Sequence, residues 1–494
     1  MQKLWADKND MKDRSDTVQL NKGDNPRVMI AAAGSGSGKT LITCALLEAL
    51  RRRDLSLRAF KCGPDYIDPM FHRRVLGVES SNLDSFFMDR YVIRHNVKRY
   101  SDRYTVIEGV MGIYDGMDVS GIKGSCYEIA AITDTPVILI ADASGVGRTV
   151  ISQIKGILAD DRYGLIKGVI LNRISEGFYD RLKPVLKDEL RSGGFADIRI
   201  LGGIPGTAGI DIESRHLGLK LPNEIGDIKE RIGRFADVLE DKCDIDGILK
   251  IMEEAPHIDG IADEELRISG RQTAAGPVIA IARDEAFCFY YEDNMEALIR
   301  AGARIEYFSP IHDKKLPEGT AGIILGGGYP ELYLEELSAN TDMLISIREA
   351  VESGMPTIAE CGGFMYLHRQ IKDKEGREYG LIGAIDGECS YTGHSVRFGY
   401  MQIDGDKSRN PNAFGVSLAG IKGHEFHYCD STNNGTDCTA VKPSTGRTWE
   451  CMMTGDDRLW GFPHLYYPSC EGFAEAFVRN AAEYKTSSGI RPLR

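Results

Sequence analysis

Long apolar runs and an excess of basic residues are both missing from this 494-residue chain. No apolar run approaches the roughly 20 residues that a membrane helix needs, so we expect no membrane contact. The formal net charge is −13. That balance disfavours a general nucleic-acid binder, because such a surface needs clustered Lys and Arg.

Cysteine pairs of the C-x-x-C kind are also absent, although the chain has eleven cysteines. Their scatter argues against a zinc site. The odd count, with no signal-peptide pattern at the N-terminus, predicts reduced thiols and a cytoplasmic protein. We find no internal repeat and no low-complexity segment.

The chain is too long for one ordinary core, and its pattern divides it into four parts. We expect a polar tail over 1–26, an α/β domain over 27–221, a charged helical linker over 222–276 and a second α/β domain over 277–484. Short β-rich segments alternate with helical ones, which predicts parallel sheets with helices on both faces. The predicted strands are RVMIAAA, LRAFKC, TVIEGV, PVILIAD, KGVILN and IRILGGI, then VIAIAR, RIEYFS, GIILGGG and PTIAE.

A glycine-rich turn, AAAGSGSGKT at residues 31–40, follows the first strand and opens a helix. This is the context of a phosphate loop, in which backbone N–H groups and a helix N-terminus cradle phosphate oxygens. Lys39 would contact the β- and γ-phosphates of ATP, and the Thr40 hydroxyl would bind Mg²⁺. The predicted nucleotide-binding residues are Gly34, Ser35, Gly36, Ser37, Gly38, Lys39 and Thr40.

Two other interpretations of this loop stay open. Ala33 stands where the phosphate-loop pattern has its first glycine, so the segment could be a Gly-rich turn without a ligand. ATP-dependent switches that partition DNA or place division sites carry a signature lysine, which would fall at Gly34. The glycine there removes the main support for a switch.

Acidic residues follow two of the predicted strands, in KCGPDYIDPMFH and VIEGVMGIYDG. The carboxyl ends of parallel strands meet in the crevice where ligands bind, and Mg²⁺ takes one or two carboxylates besides phosphate oxygens. We expect Asp65 and Glu108 to join Thr40 as metal ligands. Asp68 and Asp115 are candidates for the metal or for a substrate group, although a single Asp can also simply cap a turn.

A second candidate site lies in PTIAECGGFMYL, where Cys361 falls between a strand and a helix. This is the setting of a nucleophile elbow, with Cys in place of Ser. Backbone N–H groups near Gly362, and a second Gly-rich turn in LGGGYPELY at 325–333, could form an oxyanion hole. We expect the helix end and a nearby base to lower the pKa of the thiol. The alternative is an inert core cysteine.

The base for Cys361 would be a histidine brought close by folding. The candidates are His424 and His427 in GHEFHY, and His464 in GFPHLYYPS. The first pair lacks the H-E-x-x-H spacing that puts two histidines on one helical face, which argues against zinc there.

From about Arg27 to about Ala481, the sequence resembles the cobyrinic acid a,c-diamide synthase family, glutamine-dependent amidotransferases of cobalamin biosynthesis. The motifs that carry the resemblance are, in order, GSGSGKT, FKCGPDYIDP, NLDSFF, VIEGVMGIYDG, ESRHLGL, IARDEAFCFYYEDN, FSPIHDKKLP, LGGGYPEL, AECGGFMYL and GHEFHY. The implied fold class is α/β, with a P-loop, dethiobiotin-synthetase-like parallel-sheet domain followed by a class I glutamine amidotransferase-like domain.

The resemblance implies two linked reactions. Cys361 would attack the side-chain amide of glutamine while His464 shuttles the proton, with an oxyanion hole at Gly327, Gly328 and Gly362. Mg-ATP would phosphorylate a carboxylate of a corrin or related tetrapyrrole, and ammonia would then displace the phosphate. No nucleic-acid or membrane partner is expected, and a homodimer is one expectation for the assembly.

The resemblance also assigns residues of the ATP domain. Lys61, Asp65, Tyr66, Asp68 and Asp115 match positions linked to substrate or metal. Asn172 in VILNRI sits where this fold usually reads adenine. Tyr466 stands where the family often has a second histidine, so the group that orients His464 is undefined.

Three alternatives remain at this stage. Cobyric acid synthase is a sibling that amidates other corrin carboxylates, but GPDYIDP and ECGGFMYL favour the diamide group. The a,c-diamidation could act on hydrogenobyrinic acid or nickel-sirohydrochlorin, because these residues do not reveal the metal of the ring. A non-catalytic ATP-dependent switch is the third.

Overall fold

A computed structural model describes residues 25–117, 119–206, 225–258 and 276–487. Nearly all of the predicted polar tail, the ESRHLGL motif and the end of the predicted linker lie outside these residues.

The first half is built on a seven-stranded, all-parallel sheet with strand order β3-β2-β4-β1-β5-β6-β7. Its strands are β1 (Arg27–Ala32), β2 (Leu57–Cys62), β3 (Ser80–Leu83), β4 (Tyr104–Glu108), β5 (Val137–Asp142), β6 (Ile166–Asn172) and β7 (Arg199–Ile204). Every residue of β1 is buried, as expected of a parallel strand covered on both faces. The order reverses at β1, so the crevice beyond its carboxyl end is where a ligand is expected.

Helices cover both faces of this sheet. They are α1 (Lys39–Arg51), α2 (Ile67–Leu76), α3 (Arg90–Lys98), α4 (Cys126–Ile132), α5 (Thr149–Ala159), α6 (Glu176–Ser192), α7 (Ile225–Lys242) and α8 (Ile245–Glu253). One face carries α3 to α6, and the other carries α1, α2, α7 and α8.

The helices of the predicted linker belong to the core of the first half. Phe235 and Leu239 of α7 and Ile248 of α8 are buried in the same cluster as the apolar face of α1. The Asp244 N–H between them donates to the Leu201 carbonyl of β7 at 2.7 Å. The charged residues that suggested a linker lie on the outer face of α7, because an amphipathic helix buries only one stripe.

The second half is built on a six-stranded sheet with order β10-β8-β11-β13-β25-β24, in which only β24 is antiparallel to its neighbour. The C-terminal part of this half forms further sheets that were not predicted from the sequence, and these are antiparallel except for the parallel pair β14 and β16. The strands are β8 (Val278–Ala282), β9 (Phe287–Phe289), β10 (Arg304–Phe308), β11 (Thr320–Leu325), β12 (Gly327–Gly328), β13 (Thr357–Glu360), β14 (His368–Lys372), β15 (Glu378–Gly380), β16 (Ile385–Tyr391), β17 (Arg397–Asp404), β18 (Asn412–Ala413), β19 (Val416–Ser417), β20 (Lys422–His427), β21 (Cys429–Ser431), β22 (Cys438–Val441), β23 (Thr448–Cys451), β24 (Met453–Thr454), β25 (Arg458–Gly461) and β26 (His464–Leu465).

The helices of this half are α9 (Glu292–Arg300), α10 (Leu334–Ala339), α11 (Thr341–Glu352), α12 (Gly362–Tyr366) and α13 (Phe473–Ser487). Among the helices of the described segments, none combines the length and apolar character needed to cross a membrane.

Candidate functional site

The predicted phosphate loop connects β1 to α1 and has the geometry of one. Gly36 and Gly38 have φ of 75° and 89°, which side chains rarely adopt. A Cβ on Gly38 would lie 2.5 Å from the Asn172 amide nitrogen. That amide donates to the Ser37 carbonyl at 2.9 Å, and its oxygen accepts the Arg173 N–H at 3.0 Å. Asn172 therefore holds the loop in place, a contact that the adenine assignment did not anticipate.

Lys39 lies at the start of α1 and reaches back over the loop. Its ammonium donates to the carbonyls of Gly34 at 2.9 Å and Met111 at 2.6 Å. Burial, and secondly the charge of Lys61, lowers the pKa of Lys39. Ser35 and Gly36 are exposed at the tip of the loop, so this part of the backbone is accessible to a ligand.

Beside the loop, three oxygen-bearing side chains meet around one lysine. The Thr40 hydroxyl donates to Glu108 Oε1 at 2.5 Å, and its oxygen lies 3.4 Å from Asp68 Oδ2. Lys61 Nζ lies 2.5 Å from Asp68 Oδ2 and 2.8 Å from Glu108 Oε1. Asp65 has a different contact, because its Oδ1 accepts the N–H groups of residues 67 and 68 and caps α2.

The electrostatics of this cluster are those of a buried cation site. Burial alone would raise the pKa of Glu108, but the nearby Lys61 and His72 together outweigh burial and hold that pKa well below its usual value. The pKa of Asp68 is raised, by burial and then by the charge of Glu108. One hydroxyl and two carboxylates, both of which already contact an ammonium group, are oxygen ligands that suit a hard divalent cation such as Mg²⁺.

His72 was missed by the sequence analysis. It is fully buried on α2, its Nε2 lies 3.4 Å from Glu108 Oε2 and its Nδ1 lies 3.1 Å from Ser80 Oγ. Its position at the end of the DPMFH segment was the available signal. Asp115 accepts the Gly112 N–H at 2.9 Å, so it caps the turn after β4.

Cys361 lies between β13 and α12 in a strained conformation, with φ 48° and ψ −105°. A non-glycine residue in such a region typically costs about 1–3 kcal/mol, and such strain is concentrated at functional sites. Its side chain is only 6% exposed, and its N–H donates to the Gly461 carbonyl at 2.9 Å. This is the elbow geometry expected from the sequence.

The glycines of the predicted oxyanion hole converge on this elbow. A Cβ on Gly328 would lie 2.0 Å from the Ala286 carbonyl, and one on Gly362 would lie 3.2 Å from the Gly328 nitrogen. A Cβ on Gly327 would lie 2.2 Å from His464 Cε1. The two Gly-rich turns and His464 are thus brought together, with no room for side chains on the turns.

Both partners of the predicted Cys–His pair are held neutral. Burial raises the pKa of the Cys361 thiol well above its usual value, and the Gly362 N–H opposes this only in part. The expectation that the helix end would lower this pKa is wrong, because α12 has only five residues and burial dominates. Burial, with a smaller effect of His424 and His427, lowers the pKa of His464.

The other two candidate histidines differ from each other. His427 is fully bonded, with Nδ1 2.6 Å from the Cys429 carbonyl and Nε2 3.1 Å from Glu425 Oε2. His424 is paired with His464 across β20 and β26, and their ring centroids are 5.7 Å apart. The ring nitrogens of His427 are therefore already bonded, whereas His424 lies beside His464.

An aromatic layer connects the two halves of the molecule. We call it the aromatic layer throughout; it consists of Tyr66, Phe86, Phe87, Phe289, Tyr291, Tyr400 and Tyr466. Tyr66 follows Asp65 in the first half, yet its ring stacks on Phe289 at 5.0 Å and lies 5.2 Å from His464. One residue of the predicted substrate-binding set therefore reaches the Cys–His site.

Two family models match the chain, one for each half. Residues 28–219 match the CobQ/CobB/MinD/ParA nucleotide binding domain. Residues 278–462 match the CobB/CobQ-like glutamine amidotransferase domain.

Curated relatives match over nearly the whole chain. A cobyrinate a,c-diamide synthase of Caldanaerobacter subterraneus is 36% identical over 88% of this chain and 94% of its own length. The proteins of the same name from Fusobacterium nucleatum and Picrophilus torridus are 36% and 37% identical, over 90% and 92% of this chain and 98% of each relative. By this similarity the chain belongs to the cobyrinate a,c-diamide synthase family.

Proposed function

We propose that this chain converts the a and c carboxylates of cobyrinic acid to amides, with ATP as the activating substrate and glutamine as the nitrogen donor. An ATP-binding domain and a glutamine amidotransferase domain in one member of this family make it a glutamine-dependent amide ligase of cobalamin biosynthesis. The observation that carries the proposal is the convergence of Cys361, His464 and the oxyanion glycines in the same molecule as a phosphate loop.

Glutamine hydrolysis begins from a neutral pair. Cys361 Sγ attacks the amide carbon of glutamine as His464 takes the thiol proton. The imidazole therefore becomes charged only during the attack. The negative charge that develops on the carbonyl oxygen is stabilised by backbone N–H groups of the glycines at 328 and 362. His464 returns the proton to the leaving nitrogen, ammonia departs, and water hydrolyses the glutamyl thioester to glutamate.

The other half activates the acceptor. A carboxylate oxygen of the tetrapyrrole attacks the γ-phosphorus of ATP, ADP leaves, and an acyl phosphate remains. Ammonia then attacks the acyl carbon, and phosphate leaves the amide behind. Lys39 and the loop backbone hold the phosphates, and their positive character offsets the charge that develops during transfer.

Thr40, Asp68 and Glu108 are the residues proposed to hold Mg²⁺, which when bound neutralises phosphate charge. This set differs from the sequence-based one in that Asp68 replaces Asp65. Lys61 keeps the two carboxylates together, and Asp65 fixes the start of α2. We assign Asp115 to the shape of the turn after β4.

The test is mass spectrometry of cobyrinic acid incubated with the protein, ATP, Mg²⁺ and either glutamine or ammonia. We expect a product in which two carboxyl OH groups are replaced by NH₂. Cys361→Ala should lose this product with glutamine and keep it with ammonia. Lys39→Ala should lose it with both nitrogen sources and still release glutamate from glutamine.

Parallel incubations with hydrogenobyrinic acid and nickel-sirohydrochlorin distinguish the alternatives. If either compound were amidated faster than cobyrinic acid, that compound would be the substrate and the proposed mechanism would stay the same. A wild-type protein that releases no glutamate and forms no amide on any of the three would contradict the proposed function.

A further inference from the structure

His464 has no orienting carboxylate among the described residues. Its Nδ1 is buried without a hydrogen-bond partner there. A catalytic histidine needs such a partner, because the bond at one ring nitrogen decides which tautomer presents the other. A buried polar atom without a partner is also rare and calls for an explanation.

The two buried carboxyl groups near His464 have other partners. Glu360 Oε1 accepts the Leu465 N–H at 3.2 Å, and burial raises the pKa of Glu360 to about 8, which leaves it mostly neutral at neutral pH. Glu425 accepts the indole N–H of Trp449 at 2.8 Å and faces His427 at 3.1 Å. Neither hydrogen-bonds His464 in the structure.

His424 faces His464 from the neighbouring strand of the same sheet. The two residues are direct cross-strand partners, and their rings are tilted by 32° at 5.7 Å between centroids. His424 is 9% exposed, and its Nδ1 is also buried without a described partner. Tyr66, from the other half of the molecule, lies 5.2 Å from the His464 ring and 6.3 Å from the His424 ring.

The two ring centroids are 5.7 Å apart and each ring has a buried Nδ1 without a partner among the described residues, so the imidazoles are close enough for one small molecule to bond to both. Two hydrogen bonds in series, each of about 2.7–3.2 Å, span roughly 5–6 Å between the outer atoms. A bridging water is nearly as favourable as a direct bond where both ends are otherwise unpaired. The bridge satisfies both Nδ1 atoms at once.

We propose that His424 is a positioning residue for His464, acting through one bridging water. The Nδ1–H of His464 donates to the water, and the water donates to Nδ1 of His424. This arrangement leaves Nε2 of His464 unprotonated and free to take the proton of Cys361. The proposal rests on the proposed function, because it assigns a role only if Cys361 and His464 hydrolyse glutamine.

His424→Ala, His424→Asn and, as a matched control, His427→Gln test this in the full-length protein. For each variant we would measure kcat and KM for glutamine hydrolysis, the rate of ammonia-dependent amidation, and the melting temperature. Asn keeps an acceptor oxygen near the place of Nδ1. His427 lies on the same strand and is also buried. Both of its ring nitrogens already have partners, the Cys429 carbonyl and the Glu425 carboxylate.

We expect His424→Ala to lower kcat at least tenfold with little change in KM for glutamine, and to leave ammonia-dependent amidation unchanged. His424→Asn should recover most of the loss. His427→Gln should lower the melting temperature more than kcat.

An unchanged kcat in His424→Ala, with an active wild type, would overturn this role and leave the proposed function intact. A second result would also overturn it. If His424→Ala slowed ammonia-dependent amidation as much as glutamine hydrolysis, lowered the melting temperature, and was not recovered by His424→Asn, the role of His424 would be purely structural. A wild-type protein without glutaminase activity would instead contradict the proposed function.

Discussion

At the scale of single residues, Cys361 and His464 are prepared for reaction by where the fold places them and not by their charge. Neither group is charged before substrate binds, because burial raises the pKa of the thiol and lowers the pKa of the imidazole. The nucleophile is instead prepared by its backbone, which holds Cys361 at φ 48°. A neutral imidazole is also the form that can accept the thiol proton.

The low pKa of His464 predicts the pH dependence of glutamine hydrolysis. His464 acts as a base when neutral, that is, above its pKa in the folded protein. Since that pKa is lowered, the acidic fall of kcat/KM should begin below the ordinary histidine value of about 6.5. A profile measured from neutral to acidic pH checks this, with melting temperatures recorded at each pH. An acid limb centred near 6.5 would contradict it.

The sequence predicted which residues lie together at the two candidate sites better than it predicted their environments. Lys39 and Cys361 could be found because a phosphate loop and an elbow are local backbone patterns. The role of Asp65 could not, because capping α2 and binding a metal both need an Asp at the end of a strand. The raised pKa of Cys361 could not be predicted either, since burial depends on residues distant in sequence.

At the scale of elements, strands whose sequences are mainly apolar were predicted closely. LRAFKC coincides with β2, and VIAIAR overlaps β8 within one residue. The strand β3 was missed because SSNL is polar. Its side chains bond the neighbouring segments instead: the Asn82 amide donates to the Gly63 carbonyl at 2.8 Å, and Ser81 accepts from Arg58 at 2.5 Å. Such long-range partners leave no local pattern.

The packing of α7 predicts that this helix stabilises the first half. Phe235 is 3% exposed in the cluster with α1, so Phe235→Ala should lower the free energy of unfolding by about 3–5 kcal/mol. Urea denaturation measures this, and Lys229→Ala on the exposed face of the same helix is the control. Equal, small effects in both variants would mean that α7 is a linker after all.

At the scale of the whole molecule, the aromatic layer lies where the two halves meet, and in the proposed function these halves share ammonia. Tyr66 connects the two sides of this layer. Asp68, two residues further along the chain, contacts Lys61 beside the phosphate loop, and the Tyr66 ring lies 5.2 Å from the His464 ring. Polar contacts flank the layer: Tyr400 donates to Asp84 at 2.7 Å, and Lys422 donates to the Phe86 carbonyl at 2.7 Å.

Removing the Tyr66 ring should uncouple the two reactions. We expect Tyr66→Ala to release more than one glutamate per amide formed, because ammonia escapes to solvent where the ring closed the boundary. Tyr66→Phe keeps the ring and should stay near the wild-type ratio. Glutamate and amide are quantified in the same reaction. A one-to-one ratio in Tyr66→Ala would remove Tyr66 from this role.

The aromatic layer also has a consequence for how the protein can be made. If the gene were divided between residues 258 and 276, each product would present part of this layer to water, three rings on one polypeptide and four on the other. Exposed apolar patches of this kind promote aggregation. Co-expression of the two polypeptides should therefore yield a complex, whereas either one synthesised alone would need its surface redesigned.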